Sequence, residues 1–333
     1  MKSLFNITLS ALFMLLLATS SIGQQGSPIH TPATTNQLSR RLNLLGLHPT
    51  TAFTRAHTAA APAKVANQAA PSGKVYNFAS VDFPGSAMTI AAATNGKTDV
   101  GTFNFDPSSG TSPNQSFTHS ANKYKIYVVP GAAETALLGI NSLGVMVGTY
   151  FDSSNVAHGF IDNAGTITTV DFPGSTSTNA RGINDNSDVV GTYYDAIQGF
   201  HGFAEIGGVF TTLDYPGATQ TYAIAINASG QVAGTWTDGN YSGHGFIWAN
   251  GVFTSLDFPG ALDTEVRGLN NAGKIVGFYI DATTAHAFLY QNSFTIVDVV
   301  GALITIPEHI DNKSKITGYY IDALGEDHGF VGR

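Results

Sequence analysis

Histidine and aspartate recur at a fixed spacing in the larger part of this sequence. Each histidine stands in an "HGF" or "HAF" tripeptide, and an aspartate precedes it by five or six residues. The histidines are His158, His201, His244, His286 and His328, and the aspartates are Asp152, Asp195, Asp238, Asp281 and Asp322. Imidazole and carboxylate groups together can bind a metal ion or transfer protons. Either role requires that several copies lie close together.

The spacing belongs to an internal repeat of about 43 residues, a period typical of solenoids and propellers. Each unit opens with "DFPG" or a related tetrapeptide, whose first residue we number zero. These first residues are Asp82, Val128, Asp171, Asp214, Asp257 and Asp298. A threonine follows at position 7, asparagine or aspartate at position 13, a glycine near position 20 and an aspartate at position 24. Six copies with few gaps indicate one architecture built from a repeated element.

Each unit has the pattern of four short strands. In the third unit, "GTITTVDF" alternates, "TNARGIN" and "DVVGTYYD" are bounded by turn residues, and "HGFAEI" closes the unit. The glycine of "DVVG" indicates a bulge or a close backbone approach. Four antiparallel strands in about 43 residues form one propeller blade. We therefore predict an all-β fold, a six-bladed β-propeller of four-stranded antiparallel blades over residues 74–333, with a β-solenoid as the structural alternative.

The repeat resembles that of the HAF family of extracellular proteins, named for the tripeptide found here at His286, Ala287 and Phe288. The resemblance covers residues 74–333. It implies a bacterial, exported, repeat-built protein with a β-propeller-like fold. It brings no family-wide activity to this chain. The first unit, with "QSF", and the sixth, with "DVVG", depart from the pattern.

A propeller places the copies of one repeat position on a ring, which separates the five histidines. We therefore expect them to be structural, each bonded across a short turn to the aspartate that precedes it. The threonines are expected to satisfy turn backbone groups. The segment 184–188 begins like a calcium loop but lacks its later glutamate. With no catalytic motif present, the sequence predicts no catalytic residue, no metal and no cofactor.

A single ligand site should lie where the units differ. Positions 8, 10 and 11, on the second strand, become polar and charged in units three to six. Alternation places positions 8 and 10 on one face, and if that strand borders the channel, these side chains converge on one concave end. The alternative is that they form ion pairs and surface decoration. The candidate binding residues are Asn179, Arg181, Tyr222, Glu265, Arg267, Glu308 and His309.

Three functions are compatible with this pattern. The favoured one is a non-catalytic secreted propeller that binds a glycan or a protein partner at the channel mouth. The second is a secreted glycan-active hydrolase or lyase with Glu265 or Glu308 as acid or base, assisted by His309. The third is a purely structural cell-surface protein. Fold alone does not decide among them.

The remaining residues indicate the compartment. Residues 1–23 have the pattern of a signal peptide, and the Ala/Thr/Pro-rich residues 24–73 that of a largely disordered linker. We expect a secreted, extracellular or periplasmic protein without a membrane span, and cysteine is absent.

Residues 74–333 carry 23 acidic and 10 basic side chains, a net charge of −13, which argues against a nucleic-acid partner. The oligomeric state is left open.

Overall fold

The computed structural model, which describes residues 76–106, 114–195, 197 and 199–333, confirms the predicted all-β, six-bladed propeller. The described part of the chain holds strands and turns and no helix. The predicted signal peptide and linker lie outside the described residues. The strands are β1 (Phe78–Ser80), β2 (Met88–Thr94), β3 (Thr98–Asn104), β4 (Gln115–Ser120), β5 (Lys123–Tyr127), β6 (Glu134–Ile140), β7 (Met146–Phe151), β8 (Ala157–Asn163), β9 (Thr166–Val170), β10 (Ser177–Ile183), β11 (Val189–Asp195), β12 (Gly199–Ile206), β13 (Val209–Leu213), β14 (Gln220–Ile226), β15 (Val232–Thr237), β16 (Gly243–Ala249), β17 (Val252–Leu256), β18 (Asp263–Leu269), β19 (Ile275–Ile280), β20 (Ala285–Tyr290), β21 (Phe294–Ile296), β22 (Ile304–Ile310), β23 (Ile316–Ile321) and β24 (Asp327–Gly332).

The strands form six antiparallel sheets of four. Blade 1 is β2-β3-β4-β5, and blades 2 to 5 follow in the same order along the chain. The first strand of each blade contacts the first strands of its two neighbours, so these six inner strands surround the central channel. They are the strands that carry positions 8, 10 and 11 of the repeat. The condition set for the candidate site, that this strand borders the channel, is therefore met.

The two ends of the repeat region close the ring in blade 6. Strand β1 pairs with β24, with Phe78 opposite Gly332 and Ser80 opposite Phe330, and becomes the outermost strand of that blade. Each repeat unit is therefore offset from a blade by one strand, because its first strand completes the preceding blade. With this pairing all six blades have four strands, and each blade leaves only a short outer strand as its edge.

The core lies between the blades and is built from the same repeat position six times. The phenylalanine of each "HGF", "HAF" or "QSF" tripeptide is at most 1% exposed. These residues are Phe117, Phe160, Phe203, Phe246, Phe288 and Phe330. Burying one such side chain stabilises the fold by about 1.5–3 kcal/mol. A repeat with one aromatic anchor per blade thus distributes its hydrophobic stabilisation evenly around the ring.

The repeated threonines have the structural role that the sequence predicts. In every unit the hydroxyl at position 7 accepts a hydrogen bond from the backbone N–H of position 1, at 2.9–3.0 Å. The six threonines are Thr89, Thr135, Thr178, Thr221, Thr264 and Thr305. All six are nearly inaccessible to solvent. They tie the "DFPG" loop to the inner strand, which explains their recurrence without a ligand.

The sequence predicts that each histidine is bonded to the aspartate that precedes it, and this prediction is wrong. The histidine is bonded to a different aspartate, which follows it in the chain. His158 Nδ1 lies 2.7 Å from Asp171, the first residue of the next "DFPG", whereas its Nε2 is 3.7 Å from Asp152. Blades 3 to 6 repeat this arrangement, with Nδ1 distances of 2.8–3.3 Å and Nε2 distances of 3.6–3.9 Å. Asp152 instead accepts two backbone N–H bonds of its own turn, both at 2.8 Å. The histidine therefore joins two loops of its blade.

A β-bulge interrupts every inner strand at position 10, and the glycine near position 20 lies opposite it. In blade 3 the register shifts between Ala180 and Gly182. A Cβ at Gly191 would lie 1.9 Å from the carbonyl oxygen of Asn179, so only glycine fits there. The glycine thus marks the close approach that the sequence indicates. Despite the bulge, positions 8 and 10 remain neighbours: Tyr222 and Ile224 belong to one buried cluster, and Glu265 is bonded to Arg267.

Candidate functional site in the central channel

The channel has two chemically different ends. We call the end with the "DFPG" loops the DFPG face, and the end with the position-13 turns the Asn face. Each inner strand runs from the first to the second. Between them lie a small inner chamber, a ring of aliphatic side chains and a wider mouth that opens on the Asn face.

The inner chamber is lined by the six bulged residues. These are Ala92, Leu138, Arg181, Ile224, Arg267 and Glu308, one from each blade. The bulge therefore aims position 10 at the axis in every blade, although the residue type differs. The cavity volume is about 60 Å³. Since one water needs about 10–15 Å³ of such space, the chamber holds a few waters at most.

Ion pairs join the charged side chains of the chamber. Arg181 Nη2 lies 2.8 Å from Glu308 Oε2, although the two residues belong to blades 3 and 6 on opposite sides of the ring. Arg267 Nη2 lies 2.6 Å from Glu265, and its Nη1 lies 3.8 Å from Glu308. The Arg267 guanidinium also lies 5.3 Å from the ring centre of Phe278. The two arginines and two glutamates thus form one buried network that crosses the channel.

Burial changes the protonation chemistry of this network. It raises the pKa of Glu265, partly offset by Arg267, and lowers the pKa of Arg181 to about 10. For Arg267, burial lowers the pKa, but Glu265 and Glu308 raise it by more. Burial also lowers the pKa of His309 to about 4, so its imidazole is neutral at pH 7.

The structure divides the seven predicted residues into two groups. Four of them line the chamber: Arg181, Arg267, Glu308 and His309. The other three, Asn179, Tyr222 and Glu265, are at most 2% exposed and lie behind that lining. Tyr222 donates a hydrogen bond to Gln220 and is held next to the charge of Glu265, which raises its pKa together with burial. The seven residues thus share one region, but only part of it faces open space.

Two ionisable residues of this region were missed from the sequence. Asp263, at position 6, is 2% exposed, accepts a hydrogen bond from Gly243 N–H at 3.0 Å and has a pKa raised well above its usual value by burial and by Glu265. The pKa of Tyr319 is raised by burial and by Glu308. Position 6 carries an acid in unit two as well, Glu134, so the acid at Asp263 is not a feature of one unit alone. Tyr319 lies on β23, the second strand of its blade, whereas all seven predicted residues lie on first strands.

An aliphatic ring separates the chamber from the mouth. It consists of position 12 of each unit: Thr94, Ile140, Ile183, Ile226, Leu269 and Ile310. Four of its members also border the chamber. Five of the six side chains are branched and apolar, so the mouth has an apolar floor above the ion pairs. His309 lies at the same level and borders both spaces.

The mouth on the Asn face is wider and polar. Its cavity volume is about 280 Å³, close to the lower limit of about 300 Å³ for pockets that bind small ligands. Position-13 to position-15 side chains form its rim, among them Asn95, Lys97, Ser142, Asp185, Asn271, Asn312 and Lys313. None of these belongs to the seven predicted residues. Most of them stand in turn motifs that the sequence assigns to scaffolding.

Hydrogen bonds between neighbouring turns make this mouth rigid. Asn141 Nδ2 donates to the carbonyl of Asn184 at 3.0 Å, and Asn184 Nδ2 donates to that of Asn227 at 3.1 Å. In addition, the backbone N–H of Ala228 donates to Asn271 Oδ1 at 2.9 Å. The backbone N–H of Asn271 makes the same bond to Asn312 Oδ1. The mouth is therefore preorganised, which lowers the entropic cost of binding.

Metal ligation finds little support in the described residues. The group there whose ligand atoms approach one another, within 4.8 Å, is Asp322, Glu326 and His328 on an exposed turn of blade 6. Two of its members are the ordinary repeat pair, and only Glu326 distinguishes it from the other blades. Asp322 already accepts the backbone N–H groups of Leu324 and Glu326.

The arrangement separates acid–base groups from open space. A carboxyl with a raised pKa suits a general acid. Glu265 and Asp263, however, are 1% and 2% exposed, and the chamber next to them holds only a few waters. The mouth is open, but it contains amides, lysines and aspartates engaged by backbone groups. Within the described residues, the open polar mouth is therefore separate from the carboxyls whose pKa burial raises.

Comparison with known proteins gives similarity in fold at low sequence identity. No protein-family model and no curated protein matches this chain. Among solved structures, a triple-arginine mutant of AofleA from Arthrobotrys oligospora is 13% identical, with a TM-score of 0.47, covering 80% of this chain and 89% of that one. The fucose-specific lectin from Aleuria aurantia is 9% identical, with a TM-score of 0.45, covering 73% and 92%. The β-propeller domain of the trilobed protease from Pyrococcus furiosus, described as having an open velcro topology, is 8% identical, with a TM-score of 0.43, covering 73% and 94%.

Within the described part of the chain, no helix has the length and apolar character needed to cross a bilayer.

Proposed function

We propose that this protein is a non-catalytic binding module that takes a glycan at the mouth on the Asn face. One observation carries the proposal: the open, polar and preorganised cavity of about 280 Å³ is separate from the sealed ionisable groups of the chamber. Polar groups above an apolar floor suit a sugar, whose hydroxyl groups and C–H faces need both kinds of contact. The ion-paired residues predicted from the sequence then lie beneath this cavity and support it structurally.

The enzyme alternative is disfavoured by access. A hydrolase or lyase needs its acid and base within about 3 Å of the reacting atoms, or one water away. Glu265 and the Arg181–Glu308 pair lie below the aliphatic ring in a chamber too small for a sugar. We keep secretion and membership of the HAF-repeat family as parts of the proposal, supported by the amino-terminal sequence and by the repeat. The net charge of −13 over residues 74–333 supports a partner other than nucleic acid.

The side-chain amides of the rim allow a sharp test. Asn271 and Asn312 use Oδ1 to accept a neighbouring backbone N–H, and within the described residues their Nδ2 groups donate no hydrogen bond. Asp185 makes the same bond between neighbouring turns with a carboxylate oxygen, which accepts from Ser142 N–H at 2.9 Å. Asn271→Asp and Asn312→Asp therefore retain the bond between the turns and remove the Nδ2 donor.

The experiment screens the purified protein on a glycan array and measures the best ligands by titration calorimetry. Each Asn→Asp variant is expected to weaken binding about fivefold or more, since one hydrogen bond contributes about 1 kcal/mol. Leu324→Ala, at an exposed side chain on the DFPG face, is the control and should leave affinity unchanged. An array without binding, or affinity that falls only in the control, would refute the proposal.

A further inference from the structure

The mouth contains a concentration of positive charge in an otherwise acidic domain. Residues 74–333 contain seven lysines against 23 acidic residues. Four of these lysines, Lys97, Lys274, Lys313 and Lys315, stand on or next to the Asn-face turns of three consecutive blades, 5, 6 and 1. A random surface distribution would spread them over all blades and both faces. The grouping gives one side of the mouth a charge opposite to that of the domain as a whole.

Two of these lysines are occupied and two are available. Lys315 Nζ lies 3.1 Å from Asp99, and Lys274 Nζ donates to Ser314 Oγ at 2.9 Å. Lys97 and Lys313 line the mouth, and within the described residues their ammonium groups have neither an ion pair nor a hydrogen bond. The turns that carry these two lysines are adjacent. Asp311 Oδ2 lies against Gly96, 3.3 Å from the position that a Cβ would occupy there.

The carboxylates of the mouth are, by contrast, already used. Asp185 accepts from the N–H and the hydroxyl of Ser142, at 2.9 and 2.6 Å. Asp311 Oδ1 accepts from the backbone N–H groups of Lys313 and Lys315, at 2.8 and 2.7 Å. Both carboxylates thus accept hydrogen bonds within the protein, whereas the ammonium groups of Lys97 and Lys313 have no such partner among the described residues.

The amides of the rim show the same imbalance. The Oδ1 atoms of Asn271 and Asn312 accept hydrogen bonds from neighbouring turns, which leaves their Nδ2 groups as donors for a ligand. The oxygens of Asn141 and Asn184 likewise accept backbone N–H groups of their own turns, at 2.9–3.1 Å. Hydrogen-bond donors therefore exceed free side-chain acceptors in the mouth. A ligand that matches it must be rich in acceptors and must carry negative charge.

From this imbalance we infer that the ligand is an acidic glycan, whose uronate carboxylate lies against Lys97 and Lys313 on the blade 6 and blade 1 side of the mouth. This inference rests on the proposed function, because it names the class of glycan taken by the same cavity. The neutral Asn271 and Asn312 amides, on blades 5 and 6, then donate to hydroxyl or ring oxygens of the same sugar. Ammonium groups at the rim also attract such a ligand from solution, which makes binding sensitive to salt.

The test compares two tetrasaccharides that differ only in the carboxylate. Tetragalacturonate and galactotetraose are titrated at pH 7 in 50 mM NaCl against the wild type and against Lys97→Gln/Lys313→Gln. We expect the wild type to bind tetragalacturonate about tenfold more tightly than galactotetraose, and the double variant to lose that preference. Raising NaCl to 500 mM should weaken tetragalacturonate binding and leave galactotetraose binding unchanged.

Lys123→Gln/Lys125→Gln is the matched control, because it removes the same charge from β5 on the outside of blade 1. It should retain the preference for the acidic ligand. Equal binding of both tetrasaccharides by the wild type would overturn the inference and leave the proposed function standing. Loss of the preference in the control would overturn it as well, by attributing it to net charge. Failure to bind either tetrasaccharide, together with a blank array, would overturn the proposed function and the inference together.

Discussion

Arg181 and Glu308 meet across the channel at 2.8 Å from blades on opposite sides of the ring. Their side chains are 10% and 7% exposed, so the pair is largely desolvated. It ties blade 3 to blade 6 and blocks passage along the axis. Such pairs are costly to break, because the remaining charge stays buried without a partner.

We therefore expect Glu308→Ala to lower the free energy of unfolding by about 3–5 kcal/mol. The double variant Arg181→Leu/Glu308→Leu should recover most of that loss, because the sister units carry Leu138 and Ile224 at the same bulged position. Urea unfolding followed by tryptophan fluorescence measures both. A Glu308→Ala variant as stable as the wild type would show that the cross-channel pair does not stabilise the ring.

The pH dependence of stability should depend on Asp263. Burial raises the pKa of this carboxyl well above its usual value, with a further contribution from Glu265. A carboxyl with a raised pKa binds its proton more tightly in the folded state. Stability is therefore lost as pH rises from about 4, the value for an unfolded aspartate, through the folded value.

Asp263→Asn removes this titration and retains an oxygen to accept the Gly243 N–H. We expect the variant to be more stable than the wild type at pH 8, and the advantage to shrink toward pH 5. The raised pKa values of His286 and His328 also reduce stability above about pH 6.5, but they act in both proteins and cancel in the difference. Unfolding curves at pH 5, 6, 7 and 8 give the measurement. Parallel profiles for the two proteins would contradict the assignment.

The blade histidines are expected to stabilise loops without binding metal. His201 is 8% exposed, lies 3.0 Å from Asp214 and stacks on Tyr193 with 5.0 Å between ring centres. His201→Ala should lower the free energy of unfolding by about 2 kcal/mol, since it removes a charge-assisted hydrogen bond and a packed ring.

His201→Gln should be milder than His201→Ala, because unit one carries Gln115 at the equivalent position. Metal content by mass spectrometry should be the same in the wild type and both variants. A variant that keeps its melting temperature but loses a bound metal would reverse this interpretation.

The sequence predicts the fold well because the repeat samples each structural requirement six times. The threonine, the glycine opposite the bulge and the buried phenylalanine each satisfy a backbone or packing need that recurs in every blade, so their spacing reveals four strands and a turn. The partner of His158 was missed for a related reason. Asp152 and Asp171 both recur at fixed spacing, and only the three-dimensional arrangement of the loops distinguishes 2.7 Å from 3.7 Å.

The site was predicted only in part, because the sequence pattern does not give the depth at which each side chain lies. Glu265 and Arg267 contact each other at 2.6 Å, as positions 8 and 10 on one face should, yet Arg267 borders the chamber and Glu265 is 1% exposed. The mouth was predicted as the place of binding, but its rim residues Asn271 and Asn312 were missed because they stand in ordinary turn motifs. Their unused amide donors become visible only when the bonds between neighbouring turns are known.

Closure of the ring gives the last prediction. His328 Nδ1 lies 2.9 Å from Asp82, and Gly329 N–H donates to the other oxygen of Asp82 at 2.9 Å, which joins β24 to the residues that follow β1. Asp298 makes the equivalent pair of bonds where the chain continues from blade 5 to blade 6, at 2.8 Å to His286 Nδ1 and at 2.7 Å from the N–H of Ala287. The two aspartates have similar exposure, 38% and 32%, so the local hydrogen bonds are comparable.

We expect Asp82→Ala to accelerate unfolding more than Asp298→Ala. At Asp298 the peptide chain still holds blades 5 and 6 together when the histidine bond is lost. At the closure, only the short β1–β24 pairing and the packing of Phe78 on Phe330, with 4.9 Å between ring centres, remain. Unfolding rates in urea, extrapolated to water, should differ by about fivefold or more, which corresponds to about 1 kcal/mol in the barrier. Equal unfolding rates for the two variants would mean that the ring does not open first at the β1–β24 closure. In that case Phe78→Ala should unfold as slowly as the wild type.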